Sequence, residues 1–178
     1  MPAWATVVLS LGTAVIGAGA ALSASMLQLR HARHEREAAA AASWRDRGAA
    51  VVGRVFGVLD DMEPKAIARS GGRSRTTIEN IGRRWWKTRD DLLVFASGHP
   101  SADVAELADE VVDAVARAWE RVVRLNRELE NGAAQADPLE SAAVESHQDA
   151  FDRARRLREA VRATAGGAAS AAVPLLAE

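Results

Sequence analysis

The chain opens on an uninterrupted apolar run. No side chain from Met1 to Leu29 is charged, and Trp4 to Leu27 consists almost wholly of Ala, Val, Leu, Ile, Gly, Ser, Thr and Met. About 20 such residues in a helix cross the roughly 30 Å hydrocarbon layer of a bilayer. Ser and Thr are tolerated there because their hydroxyls bond carbonyls of the same helix. Trp4 places an amphipathic ring at one end, where the interface suits it. Directly after the run come Arg30, His31, Arg33, His34 and Arg36. A basic flank stays in the cytoplasm. The pattern therefore predicts a single-pass anchor over 1–29 in the cell membrane, with the N-terminus outside and the rest of the chain cytoplasmic.

A cleaved signal peptide is the competing reading. Ala18-Gly19-Ala20 has the small-x-small form of a cleavage site, and Val7 to Ile16 has the length of an apolar h-region. Against it, no Lys or Arg precedes the run, which continues past that site into a cluster that resists translocation. A buried helix of a soluble domain is a third, weaker option. Small residues recur every four positions along the span, as Ser10, Ala14 and Ala18 and as Gly17, Ala21 and Ser25. Such faces let two membrane helices approach closely. Ala14, Gly17, Ala18, Ala21 and Ser25 are thus candidates for self-association, although an Ala/Gly-rich span also produces these spacings by chance.

Beyond the basic flank the pattern turns amphipathic. Trp44, Gly48, Val51, Val55, Val58 and Met62 keep a 4-3-4-3-4 spacing, the seam of a packed helix. Glu63-Pro64 ends it, since the residue before proline is pushed out of the α region. Ser70-Gly71-Gly72 reads as a loop. Thr76 or Thr77 is a plausible cap for a second helix, whose face is Ile78, Ile81, Trp85, Leu92 and Phe95 and whose end Gly98 would cap. Ser101 caps a third helix with Asp103 and Glu106 near its positive end. Its seam runs Val104, Ala108, Val111, Val115, Ala118, Val122, Leu125 and Leu129 without a break, and Asn131-Gly132 closes it. Asp137-Pro138-Leu139-Glu140 opens a fourth helix as cap, N1 proline and N3 acid. Leu139, Ala143, Ser146, Ala150, Ala154, Leu157 and Val161 form its stripe, and Gly166-Gly167 is expected to end it.

The expected fold is all-α: an N-terminal transmembrane helix continuing into an up-down antiparallel four-helix bundle. The bundle occupies 30–165, with helices at about 30–62, 77–96, 102–131 and 138–165, followed by a flexible tail at 166–178. Composition agrees, since 39 of the 178 residues are Ala and 21 are Arg, both strong helix formers. Cores lined by Ala imply close helices and little buried area per residue, so dimerisation is a natural source of added stability. Trp44, Trp85, Trp86 and Trp119 are the large core candidates. Trp85 and Trp86 are neighbours on one helix and cannot both face the same core.

Charge adds one feature. The net charge of −1 gives no general reason to expect a nucleic-acid binder. Yet the segment 64–89 holds Lys65, Arg69, Arg73, Arg75, Arg83, Arg84, Lys87 and Arg89 against Glu79 alone, while 92–150 is strongly acidic. Two readings follow. The basic segment docks something anionic, with Arg73, Arg75, Arg83, Arg84 and Lys87 as contacts and Trp86 as an apolar anchor. Alternatively it packs beside the acidic third helix and fixes the register of the bundle.

Candidate chemistry is sparse. The chain has no Cys, which removes disulfides, thiol nucleophiles and Cys-ligated metals. His31, His34 and Glu35 share about one helical turn, but no further ligands follow at a recognisable spacing, so no metal or cofactor is expected. His99 and His147 stand alone and read as structural or solvated. Asp60, Asp61 and Glu63, and Asp90 with Asp91, read as solvated or Arg-paired acids. No phosphate-binding loop, dinucleotide fingerprint or nucleophile elbow occurs, so no enzyme is expected and no small-molecule substrate is identified.

The layout of anchor, Arg-rich flank and Ala/Arg-rich helices resembles small single-span membrane proteins of actinobacteria. The stretch from Arg89 through Asp90-Asp91-Leu92-Leu93-Val94-Phe95 to Ser101 is similar to a connector found in them. That resemblance implies a membrane location and carries over no functional residue. The expected function is a membrane-anchored helical interaction or scaffold protein with a protein partner or a second copy of itself. The alternatives are a tethered nucleic-acid-binding module using the 65–89 stretch, and a homo-oligomeric structural or pore-forming membrane protein.

Overall fold

The computed structural model describes the backbone over 3–132 and 137–170, and side chains over 25–132 and 137–164. Among these residues every regular element is helical: α1 (Ala3–Asp61), α2 (Pro64–Arg69), α3 (Arg75–Gly98), α4 (Ala102–Glu130) and α5 (Asp137–Ser170). The chain divides into two units, Met1–Ala41 with Ala168–Glu178, and Ala42–Gly167. The first unit contains the expected span. Most of residues 4–29 lie outside the described side chains, as do the self-association candidates Ala14, Gly17, Ala18 and Ala21. Among the described residues no helix is long and apolar enough to cross a membrane.

The second unit is a four-helix bundle whose neighbours are all antiparallel. Along α1 and α3, Trp44 meets His99, Arg54 meets Asp91, and Asp61 meets Arg84. Along α1 and α5, Gly48 faces Val161, Phe56 meets Phe151, and Leu59 meets His147. Along α4 and α5, Glu110 pairs with Arg153, Arg117 with Asp149, and the Arg121 guanidinium donates to the Ala142 carbonyl. Towards α4, Arg73 just before α3 meets Asn126, and Gly82 of α3 lies under the Trp119 ring. In each pair one number climbs as the other falls, which is the up-down order expected of short connections.

The core follows the spacing read from the sequence. Val51, Val55, Val58 and Met62 of α1 are buried, as are Ile81, Trp85, Leu92 and Phe95 of α3. So is the α4 seam from Val104 to Leu125, with Leu129 packed at its edge. The α5 stripe contributes Ala143, Ala150, Ala154, Leu157 and Val161. Bulk comes chiefly from Leu59, Met62, Ile67, Trp85, Leu92, Leu125 and Leu157, set against the small side chains of α4 and α5. Each fully buried Leu or Val contributes about 1.5–3 kcal/mol, against much less for Ala.

Glycine does its work at two kinds of place. A Cβ on Gly48 would sit 2.5 Å from Val161 Cγ1 and 2.9 Å from Phe95 Cζ, so only hydrogen fits there. Gly71 and Gly72 have positive φ (69° and 100°), and their N–H groups bond the carbonyls of Ala68 and Ile67 in a Schellman cap on α2.

Four sequence expectations need correction. α2 is an element that periodicity does not predict; proline at its first position and two glycines after its end mark it, but six residues are too short to show a repeat. The cap of α3 is Ser74, not Thr76 or Thr77; its Oγ accepts from the Thr77 N–H at 3.3 Å and lies 2.9 Å from the Thr77 hydroxyl. Gly98 stays within α3 without a left-handed turn, and His99 follows in extended conformation. The lack of a side chain at Gly98 instead admits the Trp44 ring, 3.0 Å from where a Cβ would stand. Finally, α5 passes through Gly166-Gly167 to Ser170. Flanking Ala163, Ala165, Ala168 and Ala169 offset a glycine penalty of about 1 kcal/mol each.

Candidate interaction surface

Successive helical residues turn by about 100°, so burying Trp85 forces Trp86 outward. Trp85 is 1% exposed and Trp86 52%. The Arg89 guanidinium lies 5.0 Å from the centre of the Trp86 ring, within cation–π range. Arg83 and Lys87, both exposed, flank Trp86 on the same side of α3. The Arg83 guanidinium bonds the Asn80 side-chain oxygen, and no carboxylate among the described residues lies within ion-pairing distance of Arg83 or Lys87. Val94, two turns further on, is also exposed.

The other sequence candidates have different neighbours. Arg84 is turned towards α1, where it pairs with Asp61 and approaches Gly57. Arg75 pairs with Glu79 one turn along, at 2.9 Å, in the open. Arg73 is fixed by its main chain: its N–H donates to Asn126 Oδ1 at 2.6 Å, and its carbonyl accepts from Asn126 Nδ2 at 3.1 Å. Of the six candidate contacts, Arg83, Trp86 and Lys87 therefore form one exposed group, joined by Arg89. Arg75 lies about 12 Å from Arg83 along the helix axis. Ser25, the one self-association candidate with a described side chain, lies in the other unit.

The acidic third helix of the sequence reading, α4, does lie beside α3. Among the described residues, however, its ion pairs run to α5. Glu110 accepts from Arg153 at 2.9 Å and from Arg156 at 3.2 Å, and Arg117 meets Asp149 at 3.4 Å. The hydrogen bond with Asp149 is the main influence on Arg153 and holds its guanidinium above the usual arginine range. The charges that tie α3 to its neighbours go to α1 instead, through Asp61–Arg84 and Arg54–Asp91 at 3.3 Å. Among the described residues, Arg83 and Lys87 of α3 enter no ion pair within the bundle.

The remaining candidates have structural surroundings. His99 packs against Trp44 and Phe95, and its Nδ1 accepts from the Ser101 N–H at 3.1 Å, at the start of α4. The Leu59 carbonyl, in the last turn of α1, accepts from the Met62 N–H at 3.0 Å, and His147 Nε2 lies 2.9 Å from it as a second partner. A carbonyl only accepts, so this bond places the proton on Nε2. His34 lies 3.8 Å from Glu37, and no group of three metal-ligating side chains occurs among the described residues. Comparison with family models, curated proteins and solved structures returns no match.

Proposed function

We propose that the chain is a membrane-anchored interaction protein. Its uncharged segment 4–29 spans the bilayer with the N-terminus outside, and the bundle works in the cytoplasm. The exposed face of α3 around Trp86 docks an acidic segment of a protein partner. The observation that supports this reading is the exposed Trp86 ring beside Arg83, Lys87 and Arg89, in a bundle whose other large aromatic side chains are wholly or partly covered. Trp and Arg dominate the energetics of protein interfaces, because a rigid apolar ring and a planar cation lose little freedom on docking. Unpaired Arg83 and Lys87 would speed encounter with a negative partner.

A photocrosslinking residue at position 86 tests the surface in intact cells. A discrete adduct is expected that disappears when Arg83 and Lys87 are both changed to Glu, which leaves Arg84–Asp61 untouched. The same probe at Asp152 of α5 serves as the control. No adduct at position 86 above that control overturns the surface. A cytoplasm-only reporter fused after Glu178 tests the topology, and activity of an outside-only reporter there overturns the orientation.

A further inference from the structure

An open groove between α1 and α5, on a different part of the bundle from Trp86, holds a space of about 280 Å³. Its inner wall is apolar, with Val52 and Val161 buried and Phe56 half-buried. Ala49 and Gly53 lie one turn apart on α1, and no atom stands within 4 Å of where a Gly53 Cβ would be. The groove exists because these two positions carry almost no side chain.

Three cations surround this apolar wall: Arg45, Arg158 and Arg162. Asp46 is the one acid lining it, 3.8 Å from Arg45 Nε in a solvent-exposed contact. Arg158 is the unusual member. Its guanidinium carbon lies 4.9 Å from the centre of the Phe56 ring, and its Nε is buried with no hydrogen-bond partner among the described residues. A buried N–H without an acceptor is costly, and more so on a charged group. Nε is closed to solvent and so to a ligand, but the planar guanidinium carries two further Nη groups, whose N–H donors match the two oxygens of a carboxylate.

We propose that this groove binds a small amphipathic carboxylate. The carboxylate pairs with Arg158, with Arg45 and Arg162 adding charge, and the apolar body lies along Ala49, Gly53 and Phe56. At about 30 Å³ per water-sized group, the space holds roughly nine non-hydrogen groups, the size of a medium-chain fatty acid. This site is independent of the partner surface on α3 and stands or falls alone.

Octanoate is the probe, added to the full-length chain in nanodiscs of zwitterionic lipid, with empty nanodiscs as the blank. Saturable shifts of the Val52, Gly53 and Val161 amide signals are expected at millimolar octanoate or below, with much weaker effects from acetate and inorganic phosphate. Arg158→Gln should weaken binding at least tenfold. Gly53→Leu fills the groove from an open position, so the bundle should fold as before and octanoate binding should be lost. That variant keeps the test valid if Arg158→Gln unfolds. Absence of saturable shifts overturns the proposal, as does binding that survives Gly53→Leu. Acetate or phosphate binding as tightly as octanoate would show a plain anion contact and overturn the amphipathic assignment.

Discussion

Asn126 holds Arg73 by both ends of its carboxamide, accepting from the main-chain N–H at 2.6 Å and donating to the carbonyl at 3.1 Å. The carboxamide thus imitates a strand partner for a single residue of a loop. It is 4% exposed, on the core side of α4. The bond joins residues 53 apart and sets where the Gly71-Gly72 turn meets the bundle.

Asn126→Ala should therefore destabilise the bundle by about 2 kcal/mol, because it strips both main-chain groups of Arg73 of their partners. Arg73→Ala should change stability by less than about 0.5 kcal/mol, since the main chain is what is held. Denaturant unfolding of the two variants checks the contrast, and equal losses would contradict it.

Two glycines of α1 should respond in opposite directions. Gly48→Ala drives a methyl into Val161 and Phe95 and should cost about 1–3 kcal/mol despite the better helix former. Gly53→Ala meets open space and should stabilise by up to about 1 kcal/mol. Thermal melts monitored by helical circular dichroism read the sign directly.

The adjacent tryptophans should separate as sharply. Trp85→Ala opens the core and should cost about 3–5 kcal/mol. Trp86→Ala removes an exposed ring and should leave stability within about 0.5 kcal/mol of the parent. Fluorescence should show the same split: acrylamide quenches Trp86 and spares Trp85.

His147→Ala should cost about 1 kcal/mol by removing the side-chain partner of the Leu59 carbonyl, which then keeps only the Met62 N–H. Hydrogen exchange should rise first over residues 58–62, where the helix end loses its outside donor. Unchanged exchange there would mean that the bond contributes nothing.

How much of this could be read from the sequence depends on distance along the chain. The seam of α4 was legible because each of its residues repeats a spacing that a helix imposes locally. The four long helices followed for the same reason. The choice between Arg83 and Arg84 was not legible. They are adjacent and chemically identical, and what separates them is Asp61, 23 residues away on another helix. Gly98 shows the same limit. Its local signature is that of a helix cap, and its use, admitting the Trp44 ring, depends on a contact across 54 positions. Trp86 was legible as the outward member of its pair, because Trp85 falls on the helical face shared with Ile81, Leu92 and Phe95.

The antiparallel order has a mechanical consequence. Residues 42 and 164 lie at the same end of the bundle, since Gly48 faces Val161 there and Leu59 meets His147 at the other end. Tension between those two points pulls α1 and α5 apart as a zipper, loading first Gly48–Val161, then Phe56–Phe151, then Leu59–His147. Each rung bears the load in turn, so the opening force is set by a single contact rather than by their sum. A bundle pulled from this end should yield at low force, although the same contacts, lost together in solution, hold it cooperatively folded.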